Sequence, residues 1–151
     1  MLDTPLFRCI ALLAALCFSP HSLPAQTYKE AARGSETRQD ILNAIRPHAE
    51  WNFAAPVEFV VGEIRVAGDV AFATVRAQRP GGKEIDILTT PVVLRNELDP
   101  YAGDGPTMEV LLQKSGRVWV AVHFGISSSE GWWYSPEYCP IWAAVIPDAC
   151  P

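Results

Sequence analysis

Two stretches of alternating apolar and polar residues constrain the fold of this chain more than any other feature. Val57–Val66 is rich in β-branched residues, Ala67-Gly68 is a turn signal, and Asp69–Gln78 reads as the returning strand. A two-residue turn at Ala67-Gly68 sets Val66 opposite Asp69. Val60, Gly62, Ile64, Val66, Ala71, Ala73, Val75 and Ala77 then share one small, apolar face, with Gly62 opposite Ala73. Gly62 also fits a bulge, which would bend the sheet and flip part of that face. The second pair is Thr107–Lys114 and Arg117–Phe124, joined at Ser115-Gly116. In that register Leu112 faces Trp119, Val110 faces Ala121 and Met108 faces His123, while Glu109 projects to the other side.

A helix precedes the strands. Ser35 or Thr37 suits its N-cap, because a hydroxyl accepts from an orphan amide of the first turn. Ile41, Leu42 and Ile45 form the apolar stripe that fills the dent left by the small sheet face. Pro47 disfavours helix at Arg46, so the helix is predicted to end there, with Trp51 and Phe53 in a connector and His48 exposed. Arg79–Lys83 reads as a turn, Glu84–Thr89 as a short strand and residues 95–106 as a polar loop. From Gly125 onward the chain turns irregular and aromatic. The expected class is α+β: an N-terminal helix packed on a curved antiparallel sheet.

The runs Arg38-Gln-Asp-Ile-Leu-Asn-Ala-Ile-Arg-Pro47, Pro56-Val-Glu-Phe-Val-Val61, Ile64-Arg-Val-Ala-Gly-Asp69 and Gly116-Arg-Val-Trp-Val120 carry a resemblance. Together they are similar to a group of small exported bacterial proteins with a cystatin-like or NTF2-like fold, most of unknown function. The resemblance spans residues 36–124 and implies a fold, not an activity.

Ahead of this domain, Ile10–Phe18 is an apolar run after Arg8, with Leu23-Pro24-Ala25 offering a small-residue cleavage site. The run is shorter than the ~20 residues that span a bilayer. Residues 1–25 are therefore expected to be a signal peptide, 26–34 a flexible lead-in and 35–151 one domain, with no membrane span in the mature chain. Export places the protein in the periplasm or outside the cell. Cys139 and Cys150 are the cysteines left after cleavage, and an even pair in an oxidising compartment predicts a disulfide. The formal net charge is −5. Charges of both signs are scattered without a basic stripe, which argues against a nucleic-acid partner.

Among titratable residues, His123 is the candidate general base, because its pKa lies near neutrality and its expected face is apolar. Met108, Trp119 and His123 are the expected pocket wall. The acidic run holding Glu97, Asp99, Asp104 and Glu109 has calcium-type ligands but no EF-hand spacing, and it equally suits ordinary turns, so no metal is expected. Gly81-Gly82 and Gly103-x-Gly105 lack the strand–loop–helix context of a phosphate cradle, so no cofactor is expected. Trp132, Trp133 and Tyr134 suit either a cover over the sheet or a partner surface.

These residues yield three functional expectations. The first is a non-enzymatic exported binding domain for a small apolar ligand or an envelope protein. The second is a small isomerase- or hydratase-type enzyme using His123. The third is an envelope inhibitor or immunity-type protein.

Overall fold

The structure, a computed structural model, describes residues 28–150. The expected signal peptide and its apolar run lie outside the described residues. The architecture is α+β: a helix and a five-stranded antiparallel sheet in the order β1-β2-β3-β4-β5. The strands are β1 Lys29–Glu30, β2 Glu58–Ala67, β3 Val70–Gln78, β4 Thr107–Ser115 and β5 Val118–Ile126. Among the described residues no helix is long and apolar enough to cross a membrane.

Helix α1 spans Glu36–Phe53, and the Ser35 side chain accepts from the Arg38 amide as its N-cap. It does not end at Arg46. Pro47 sits inside it, and Trp51 and Phe53 belong to its last turn. The reason is where the broken bond falls. Proline removes the hydrogen bond to the carbonyl four residues back, and both Pro47 and Asn43 are exposed, so water replaces it. Continuing the helix extends a stripe, Ile41, Ile45, Ala49 and Phe53, whose every member is fully buried. The helix then stops at Ala54, which has φ 65°. Arg79 takes up the orphan carbonyls there, donating to Phe53 O at 2.8 Å, to Pro56 O at 3.1 Å and to Ala54 O.

Both hairpins turn one residue later than expected. Ala67 pairs with Val70 and Ser115 with Val118, so the loops are Gly68-Asp69 and Gly116-Arg117. Glycine thereby takes the first loop position with positive φ, which tight hairpins favour. The shift moves each partner by two residues and leaves each side chain on its side of the sheet. Ile64, not Gly62, stands opposite Ala73.

Two bulges do change sides. The first falls at Gly62, between the pairs Val61↔Val75 and Glu63↔Thr74. A Cβ on Gly62 would lie 2.4 Å from Thr74 Oγ1, so only glycine fits. The bulge turns Phe59 and Val61 inward against the core and leaves Val60 half exposed. The second bulge places Val122 between Leu112↔Ala121 and Leu111↔His123. Its effect is to send Phe124 and Ile126 to the helix side, where His48 of α1 meets Phe124 at 4.6 Å between ring centres. His48 is therefore a half-buried helix residue rather than an exposed one.

Residues 84–89 hold no strand. Asp86 caps a single 3-10 turn, Ile87–Thr89, which leads into the short α2, Pro91–Leu94, against α1. At the other end, Lys29 and Glu30, expected within the lead-in, pair with Val66 and Arg65 of β2.

The sheet is covered on both sides. The helix side buries Ile41, Ile45, Ala49, Phe53, Ile64, Met108, Val110, Leu112 and Trp119. The opposite side buries Phe72 and Leu111 beneath Trp142, Val145 and Ile146 from the C-terminal segment, whose short helix α3 is Cys139–Trp142. The Trp142 indole N–H donates to Leu112 O at 2.9 Å. Arg65 ties β2 to this segment by donating to Val145 O, with Asp148 at 3.7 Å. A disulfide joins Cys139 to Cys150, with their Cα atoms 5.5 Å apart.

Candidate functional site

The bulge at Val122 separates the residues expected to form one pocket wall. Met108 and Trp119 are buried in the helix-side core. His123 stands on the other side, exposed, with its ring 5.1 Å from Tyr138 and 5.4 Å from Trp142. A continuous register would have buried a histidine and left Phe124 outside. The extra residue reverses that: Phe124, still 37% exposed, packs on His48 from the helix side, and the imidazole of His123 stays in solvent.

Trp132, Trp133 and Tyr134 form a 3-10 turn over the same side. Trp133 meets Phe72 at 5.2 Å, Trp132 meets Tyr138 at 5.3 Å, and Tyr134 remains exposed. Trp132 lies directly on β5 above Gly125, where a Cβ would fall 2.2 Å from Trp132 Nε1. Gly125 is the pairing partner of Glu109, so the indole marks the limit of the aromatic cover.

Past that limit the sheet is open. Thr74 pairs with Glu109 and Arg76 with Thr107, which puts all four on the C-terminal side of the sheet. With Val60, Val61, Gly62 and Val75 they line a groove of about 280 Å³ at the first bulge. Bulges recur beside functional sites because they bend the strand and re-aim side chains. Here the Thr74 hydroxyl accepts from the Glu63 amide across it at 3.1 Å.

Glu109 is the chemically distinctive group. Its Oε2, Thr107 Oγ1 and Trp132 Nε1 are buried polar atoms without hydrogen-bond partners. Buried polar atoms normally have partners; here the Trp132 indole N–H faces the Glu109 carboxyl and acts on it, but outside good hydrogen-bond geometry. Burial pushes the Glu109 carboxyl up to about 7; the Trp132 indole and the residue's own amide favour the anion, and Asp104 opposes it. A carboxyl at that value exchanges protons at neutral pH. Arg76 is exposed, lies against Gly105, and has no side-chain hydrogen bond or ion pair among the described residues.

Glu109 was expected in an acidic run and on the side away from His123. It is a mid-strand residue on the same side as His123. A carboxylate between Met108 and Val110 was the available signal. Its desolvation depends on Trp132, distant in sequence. Of the rest of the acidic run, Glu97 pairs with Arg95 at 2.7 Å, Asp99 accepts from the Tyr101 amide, and Asp104 lies close enough to oppose ionisation of Glu109. Among the described residues no group of three or more His, Cys, Asp or Glu is arranged to hold a metal ion. Comparison of the chain with protein-family models, curated proteins and solved structures returns no match.

Proposed function

We propose that this chain is an exported binding domain whose small ligand lies in the groove beside the Gly62 bulge. The carrying observation is the convergence of Thr74, Arg76, Thr107 and Glu109 beside the exposed Val60 in one groove, with Arg76 unpaired among the described residues and the Glu109 carboxyl raised by burial. Ligand sites are apolar concavities with a few placed polar groups. The groove lies just below the ~300 Å³ where such sites usually begin, which favours a small molecule. Support for export comes from the expected leader and from the disulfide, which belongs to oxidising compartments. The helix followed by an antiparallel sheet agrees with the resemblance to cystatin-like and NTF2-like exported proteins, which we keep within this reading. His123 takes no part in it, because its ring meets Tyr138 at a tilt and Trp142 edge-on, and it does not line the groove.

The test uses 8-anilinonaphthalene-1-sulfonate, an apolar fluorophore whose anionic group suits Arg76. Its emission rises with the wild-type protein, and Val60→Trp, which fills the rim without touching the core, suppresses the rise. No binding, or equal binding by Val60→Trp, contradicts the proposal.

A further inference from the structure

Arg76 and Glu109 are diagonal neighbours on one face of paired strands, since Arg76 is opposite Thr107. Diagonal positions lie about 7–8 Å apart at Cα, within reach of two long side chains. Yet no ion pair joins them. Arg76 instead rests beside Gly105, and Glu109 faces the Trp132 indole with no cation beside it. An opposite-charge pair within reach but unmade leaves one carboxyl and one guanidinium without an ionic partner in the same groove.

Resting on the binding reading above, we infer that the groove takes a small aliphatic zwitterion, an apolar amino acid, with its ammonium on Glu109 and its carboxylate on Arg76. The chemistry fits group by group. A guanidinium fork matches a carboxylate through two parallel hydrogen bonds. The ammonium supplies a charged donor to Glu109, and Val60, paired with Arg76 on the same side of the sheet and half exposed, receives the aliphatic side chain. The raised carboxyl adds a distinctive readout. An ammonium favours the ionised form of Glu109, so binding at pH 7 expels protons.

The probe is L-valine, titrated by calorimetry into the wild-type protein in buffers of different ionisation heat. Isobutylamine and isobutyrate serve as the arms carrying one charge each. L-Valine is expected to bind with proton release and more tightly than either single-charge analogue. Glu109→Gln and Arg76→Gln, both checked for folding by circular dichroism, are each expected to weaken L-valine by about tenfold or more. Glu109→Gln also abolishes the proton release. If isobutylamine or isobutyrate binds as well as L-valine, or if neither variant changes binding, the zwitterion assignment is wrong. If L-valine gives no binding heat while the fluorophore still fills the groove, the ligand class falls and the binding site stands. Failure of both probes removes the site as well.

Discussion

The two sides of the sheet are closed by different means. On the helix side one continuous segment does the work, with Ile41, Ile45, Ala49 and Phe53 spaced four apart and all fully buried. On the other side a set of short turns carries Trp132, Trp133, Tyr138 and Trp142, and a disulfide of sequence separation 11 fixes their end. The helical cover is regular and runs the length of its stripe. The aromatic cover stops at Trp132, leaving Glu109, Thr107 and Arg76 beside an open groove. The helical layer is continuous, and the unfinished layer leaves the groove in which we propose the ligand lies.

The sharpest break of this comparison is a cavity on the helix side. Phe53→Ala removes a fully buried ring and is expected to cost ~3–5 kcal/mol, lowering the whole transition in urea. Far-ultraviolet circular dichroism and tryptophan fluorescence should report that loss together. A smaller effect separates the two sides. Reduction, or Cys150→Ser, frees the aromatic cover and is expected to cost ~3 kcal/mol in the chain-entropy account of loop closure. Tryptophan fluorescence should then change at a lower urea concentration than the helical signal. Coincident transitions would show that the two covers form one cooperative unit.

The smallest effect is a pH dependence confined to the open end. A carboxyl raised to about 7 keeps its proton in the folded state when the unfolded chain has released it. Stability therefore declines as pH rises from about 4.5 to about 7, and is greatest below that window. For a half-buried group, solvent screening reduces the loss to on the order of 1–2 kcal/mol. Urea midpoints between pH 4 and 8 should show this slope in the wild type and a flatter profile in Glu109→Gln. An equal slope in both would assign the dependence to another group.

Much of the frame was legible because it follows local periodicity. Ile41 and Ile45 occupy the expected stripe, Ser35 caps the expected end, and Leu112 and Trp119 share a side as their alternation required. The helix end was not legible. The local penalty at Pro47 is outweighed by burying Ala49 and Phe53, a gain visible only once the sheet is in place. The two bulges differ in the same way. Gly62 carries its own signal, a glycine inside a strand pattern. Val122 has an ordinary β-branched side chain, so nothing local marks it as the extra residue that carries His123 to the other side. Glu109 was hidden for a related reason: its environment is made by Trp132, which the turn after β5 brings back over the sheet.

The proposed ligand site depends on Glu109 being desolvated and without an ionic partner, and carbon-13 resonance of its side-chain carboxyl during a pH titration measures that directly. The account predicts a midpoint near 7 in the ligand-free protein, falling when L-valine is added. A midpoint near the ordinary 4.5, unchanged by L-valine, would contradict it.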